Sequence, residues 1–230
     1  MQFRKSTLGV KRHPEEETVR QIQQTLTQWK SGHSRDFPWR NPDRDWHGLI
    51  AEILLQRTRA ESVVPVFREF AKRYPTIEAF ADASEAELAN LIEPLGLKKR
   101  ASILSDLGKR LLEIGEVPSN EEDLTNLPGV GPYTAAAWIS LHNGKRGVLL
   151  DSNILRWLCR MIGHDYERSL RREDWIRNLA ERITPETGVQ EHNYAVLDLS
   201  REICTPRNPK CTDCPLGPEF CVYGRTASDQ

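Results

Sequence analysis

The chain has 230 residues, enough for one large or two small domains with a well-buried core. Its 38% hydrophobic and 28% charged residues describe an ordinary soluble protein, and the formal net charge of −1 leaves no global footprint of a polyanion binder. No apolar run approaches a membrane span, and the N-terminal MQFRKSTLGVKRHP lacks the apolar core of a signal peptide, so a cytoplasmic protein without a membrane partner is expected.

Val19, Ile22, Leu26 and Trp29 recur at helical spacing behind Pro14, which predicts a first helix over 15–31. After the proline-broken Arg35-Asp-Phe-Pro-Trp-Arg40, a helix is expected over 47–59. Leu49, Ile50, Ile53 and Leu54 form its apolar side, and Glu52 and Gln56 form an i,i+4 pair on another face. Val63, Phe67 and Phe70 mark a helix over 61–73, and Ser84-x-x-Glu87 is a capping-box signature before Leu88, Leu91 and Ile92. Gly96 breaks the chain. Ile103, Leu104, Leu107 and Leu111 mark the next helix, and Asn120 is a cap for another.

The stretch Leu127-Pro-Gly-Val-Gly-Pro-Tyr-Thr-Ala-Ala-Ala-Trp138 reads as helix, glycine turn, helix. Pro128 stops the first helix, Gly129 and Gly131 are free to take positive φ, and Pro132 suits the first turn of the second. Backbone N–H groups in such a turn face outward at a helix N-terminus, where a phosphate can sit. Asp151 closes the apolar run Val148-Leu-Leu and precedes a helix carrying Ile154, Leu155 and Leu158 to Gly163, so its simplest role is an N-cap. Trp175, Ile176, Leu179 and Ile183 form a further helix ending at Thr184-Pro185, and a last one runs through Tyr194, Leu197 and Leu199 into Cys204. Period-two strands are absent, so the fold class is all-α.

Charge is segregated along the chain. Residues 78–93 hold five acidic and no basic side chains, whereas 98–100 is Lys-Lys-Arg and 145–160 carries Lys145, Arg146, Arg156 and Arg160. That pattern permits a basic face and an acidic back. Of five cysteines, four lie in the last 27 residues as Cys204-x6-Cys211-x2-Cys214-x6-Cys221, a metal site rather than a disulfide framework. Zinc modules pair two short knuckles. Here one short pair has a long spacer on each side, which gives a loop the reach to wrap an iron–sulfur cluster, with zinc the lesser alternative. Arg207 and Lys210, between the first two ligands, are placed to meet phosphates or simply to be solvated. Cys159, on an apolar helix face, is a core residue.

LPGVG-x-Tyr-Thr-Ala followed by Asp151 resembles the helix-hairpin-helix DNA glycosylase superfamily, and the likeness covers the chain from about Asp36 to Cys221. It implies two lobes: a six-helix barrel over 41–147, and an iron–sulfur helical lobe from 1–40 and 148–225, with 226–230 a tail. It further implies double-stranded DNA, holding a mispaired or damaged base, across the cleft between the lobes. The protein is then a nucleoid-associated monomer. The cysteine loop is similar to the 4Fe–4S loop of endonuclease III and the adenine DNA glycosylases, one residue longer at its last spacer. The resemblance makes Asp151 the carboxylate that stabilises an oxocarbenium-like sugar and orients water. Glu52, in Ala-Glu-Ile-Leu-Leu-Gln-Arg-Thr58, matches the glutamate that handles protons on the leaving base, and Gln56 fills the space of the flipped base. DNA contacts are expected at Leu97, Lys98 and Lys99, at Gly129, Val130, Gly131 and Thr134, and at Arg207 and Lys210.

Position 133 separates reaction types. Bifunctional members have a lysine there that forms a Schiff base; Tyr133 cannot, so hydrolysis without strand cleavage is expected. Adenine glycosylases typically have serine there, a Gly-Leu-Gly-Tyr-Tyr wedge where this chain has Leu95-Gly-Leu-Lys-Lys99, and a further C-terminal domain. Tyrosine instead resembles the glycosylases acting on thymine or uracil opposite guanine. The expected function is therefore a monofunctional thymine/uracil mismatch glycosylase with Asp151, Glu52 and Tyr133 in the site. Adenine removal from A·G or A·8-oxoguanine pairs is the alternative, and a non-catalytic iron–sulfur DNA-binding protein is a second.

Overall fold

The computed structural model describes residues 14–33, 35–41 and 45–228. Residues 1–13, read for a signal sequence, and the last two residues of the 226–230 tail lie outside them. Every regular element among the described residues is helical, as the absence of period-two patterning predicts. No helix among them is long and apolar enough to cross a membrane.

By contacts the chain divides into two units. The hairpin unit comprises His33–Leu149 and Glu186–Tyr194. The cysteine unit comprises the chain up to Gly32, Leu150–Pro185 and everything from Ala195 onward. Residues 33–40 fall in the hairpin unit although the division drawn from sequence gave them to the iron–sulfur lobe, and the same holds for the segment 186–194. Two bonds hold it in the hairpin unit: Asn193 Nδ2 donates to Gly147 O at 2.9 Å, and Gln190 Nε2 to Leu141 O at 2.7 Å.

In the hairpin unit, α2 (Asp45–Leu54), α3 (Ala60–Arg73), α4 (Ile77–Ala81), α5 (Glu85–Ile92) and α6 (Ala101–Ile114) surround an apolar core. Trp46 stacks on Phe80 at 5.6 Å between ring centroids, and Phe70 meets Phe80 edge-on at 5.1 Å. Such aromatic pairs add about 0.5–1.5 kcal/mol beyond their burial. The Ser84–Glu87 capping box forms in both directions, and Asn120 caps α7 (Glu121–Thr125) through Asp123 N at 2.9 Å. α8 (Pro132–Leu141) packs along α2 and is buried nearly all round.

In the cysteine unit, α1 (Glu16–Gly32) buries Val19, Ile22 and Leu26 and packs on α10 (Asp174–Ile183). α9 (Ser152–Ile162) buries Leu155, Leu158 and Cys159, the last a core thiol pushed up to about 11 by burial. α11 (Val189–Asp198) begins in the hairpin unit, enters the cysteine unit at Ala195 and runs into a π-helical turn, Leu199–Ile203, where Cys204 N bonds back five residues to Leu199 O. Short helices α12 (Gly217–Phe220) and α13 (Val222–Ser228) follow the cysteine loop.

Candidate glycosylase site

The hairpin turn is anchored from below and open above. Leu127 and Val130 are buried in the core, whereas Gly129 between them is exposed with φ at +78°. A Cβ at Gly129 would lie 2.7 Å from Ile103 Cγ2, so glycine is required there by both backbone and space. Gly131, also read as a candidate for positive φ, instead sits at −98° as the N-cap of α8, with no side chain capping it. Pro132 occupies the first helical position, and the N–H groups of this first turn have no intrahelical acceptor. Tyr133 follows, half-buried, and Thr134 is buried.

Gln56 is not on a helix as its spacing suggested. α2 ends at Leu54, Thr58 Oγ1 captures the Leu54 carbonyl, and Arg57 takes the left-handed conformation with φ at +64°. This turn swings the Gln56 amide to the hairpin, where Nε2 donates to Gly129 O at 3.1 Å and to Thr134 Oγ1 at 3.0 Å. Arg100, the third residue of the basic triplet, also turns inward and donates to Ile53 O at 3.0 Å. Lys98 and Lys99 are exposed beside half-buried Leu97, and Lys98 Nζ reaches Glu93 at 2.6 Å.

Glu52 is 8% exposed, not a surface side chain of a solvated helix face. His142 Nε2 lies 3.3 Å from its Oε1, and the His142 side chain is fully buried. The pair was not read from sequence, its members being ninety positions apart. The signal lay in Gly48, one turn before Glu52. A Cβ there would come within 2.4 Å of the His142 ring.

In the cysteine unit, Asp151 caps α9: its Oδ1 accepts from Asn153 N and Ile154 N, both at 2.8 Å. Its Oδ2 accepts from Asn153 Nδ2 at 3.3 Å and lies 4.0 Å from Arg201 Nη2 on the π-helical turn, a neighbour not read from sequence. The carboxylate is thus fixed in rotamer while its side chain keeps 19% exposure. Five residues beyond Asp151, Arg156 Nη1 donates to Asn153 Oδ1 at 3.0 Å, and its other nitrogens hold Ser200 O at 2.6 Å and Cys204 O at 2.8 and 3.0 Å. Ser200 lies within the π turn and Cys204 caps its end. A continuous chain of bonds therefore runs from Asp151 through Asn153 and Arg156 to Cys204.

Cys204, Cys211, Cys214 and Cys221 line one cavity with Trp157, Leu216 and Tyr223. Burial first, and then neighbouring sulfurs, push the Cys211 and Cys214 thiols up and that of Cys221 up to about 11. Arg160 Nη1 donates to Cys204 Sγ at 3.3 Å and to Thr205 O at 2.7 Å, bringing positive charge to the same rim. Among the described residues no three His, Cys, Asp or Glu side chains draw together around a single ion. Four sulfurs thus line one cavity that disfavours bare thiolates. Arg207 and Lys210, on the loop between Cys204 and Cys211, are exposed.

The HhH-GPD superfamily of base excision DNA repair proteins matches residues 50–185. The chain belongs to that superfamily. An iron–sulfur binding domain of endonuclease III matches residues 204–217. A thymine-DNA glycosylase of Aeropyrum pernix is 38% identical, over 89% of this chain and 95% of that one. A thymine/uracil-DNA glycosylase of Pyrobaculum aerophilum is 37% identical, over 82% of this chain and 85% of its own length. The solved structure of a thermostable thymine-DNA glycosylase superposes with a TM-score of 0.84 at 32% identity, over 91% of this chain and 98% of that one. Adenine DNA glycosylases are among the more distant relatives.

Proposed function

We propose that this chain is a monofunctional DNA glycosylase that hydrolyses the N-glycosidic bond of thymine or uracil mispaired with guanine in double-stranded DNA. The observation that carries the reaction type is Tyr133 on the first turn of α8, where bifunctional relatives carry their amine. The similarity to thymine- and thymine/uracil-DNA glycosylases over nearly the full length of each supports the base.

In this reading a water oxygen bonds to C1′ as the C1′–N1 bond breaks. The electron pair leaves with the base, and the water's proton is lost. Asp151, locked by two backbone N–H groups, opposes the positive charge that builds on the sugar and orients the water. Tyr133 offers a phenolic donor and a flat wall to the pyrimidine, which leaves with negative charge on its ring. The uncapped start of α8 and exposed Gly129 receive a backbone phosphate, with Lys98, Lys99, Arg207 and Lys210 as further phosphate contacts. Gln56 steadies the turn through Gly129 O.

Cys204, Cys211, Cys214 and Cys221 would hold a 4Fe–4S cluster. Such a cluster supplies a rigid crosslink to the loop that carries Arg207 and Lys210. The buried Glu52 favours a second reading, adenine release from A·G or A·8-oxoguanine pairs, because a departing purine needs an acid. Product analysis tests the reaction type. Native protein is expected to leave abasic sites that break only in alkali, with no covalent adduct trapped by borohydride. Efficient trapping by the native chain refutes the monofunctional assignment.

A further inference from the structure

We propose that His142 is a positioning residue that holds Glu52 as a carboxylate, donating its Nε2–H to Oε1, so that Glu52 meets the target base as a hydrogen-bond acceptor and not as an acid. The proposal rests on the reading that the base is thymine or uracil, whose N3–H is the donor such an acceptor would take.

Hydrogen-bond bookkeeping carries it. His142 Nδ1 is buried and meets no partner among the described residues, while Nε2 lies 3.3 Å from Glu52 Oε1. Four proton arrangements can join the two side chains. If Glu52 carried the proton and gave it to Nε2, the ring's own hydrogen would sit on Nδ1, buried and without an acceptor. A doubly protonated ring strands the same N–H. A neutral ring protonated at Nε2 leaves a bare lone pair at Nδ1 in place of an orphaned donor, whether Glu52 is ionised or carries a proton on Oε2, and the bond it gives Oε1 is the stronger, charge-assisted one when Glu52 is ionised. Orphaned buried N–H groups are the rarer and costlier case.

The seat of the ring is built for this contact. His142 follows the last residue of α8, and its ring lies flat on Gly48 of α2, where a Cβ would stand 2.4 Å from Cγ and Nδ1 and 2.9 Å from Cδ2. Glu52 is one helical turn further along the same face of α2. The glycine therefore admits an imidazole at the distance needed to reach the carboxylate, and both side chains are almost wholly removed from water.

Two measurements test it. The ring ¹⁵N spectrum of the full-length protein, with His142 assigned by its loss in the His142→Gln variant, should show Nε2 protonated and Nδ1 bare. A ring protonated at Nδ1 overturns the proposal. Because this readout needs no substrate, it stands apart from any failure of the thymine/uracil reading. Single-turnover release from T·G and U·G duplexes is the second. His142→Gln keeps an amide donor near the Nε2 position and should stay within about threefold of native. His142→Leu fills the space without a donor and should lose about tenfold or more, the size of one bond to a charged group, with duplex affinity unchanged. Gly48→Ala, which displaces the ring while leaving both polar residues in the chain, should match His142→Leu and serves as the check if that variant folds poorly. Equal rates for the Gln and Leu variants contradict a donor role.

Discussion

Asp151 carries two roles in one side chain. As a cap it accepts two backbone N–H bonds at the start of α9, and in the proposed reaction its charge is the one that faces the sugar. Asparagine separates the two, because its carbonyl oxygen still accepts while its charge is gone. Asp151→Asn is expected to keep the thermal midpoint within a few degrees, whereas alanine would cost about 1 kcal/mol through the lost cap. Base release should fall by about a thousandfold, on the scale of removing a preorganised electrostatic contact, with duplex affinity retained. Normal excision by Asp151→Asn would leave only the cap. The cap itself was legible, since Asp before an apolar helical run is a strong start signal. Arg201 beside it was not, because a residue fifty positions away is brought there by a π-helical turn that no spacing announces.

At the scale of elements, the sequence showed most clearly what short-range chemistry decides. Ser84, Asn120 and Asp151 cap where their side chains predicted, and Pro132 opens α8. α2 departs from its pattern for a reason of longer range. Thr58 closes its last carbonyl, and the hairpin claims Gln56 from more than seventy positions away. The apolar periodicity of 47–59 contains neither contact. The cysteine loop is the element whose content can be weighed directly. Four sulfurs on one cavity, bracketed by Arg156 and Arg160 from α9, are expected to bind iron and sulfide near a four-to-four ratio and to give a brown protein with broad visible absorbance. Colourless folded protein with stoichiometric zinc would contradict this.

Across the whole molecule, the buried polar groups set how stability responds to acid. His192 is 1% exposed, and burial pushes its ring down to about 4 from an ordinary 6.5. The unfolded chain therefore binds a proton that the folded one refuses between those values. The contribution is complete above about pH 6.5 and is lost as pH falls toward 4, by about 3 kcal/mol in all. Denaturant unfolding of His192→Leu between pH 5 and 7.5 should show a shallower fall than native; parallel slopes would rule His192 out. Lys30 and Asp198, paired at 3.4 Å in the cysteine unit, are also nearly buried. None of these interior partners was readable from sequence, because a lone His or Lys on an apolar helix looks the same whether or not a partner arrives.

One measurement reads base preference directly: single-turnover base release from matched duplexes carrying U·G, T·G, T·A, A·G or A·8-oxoguanine. Uracil opposite guanine should leave at least as fast as thymine opposite guanine, because it lacks the methyl group. Thymine paired with adenine should be spared, since a wobble pair opens more easily than a matched one. Rapid adenine release with none from T·G or U·G would contradict the assignment, and Glu52 would then be the acid on a departing purine.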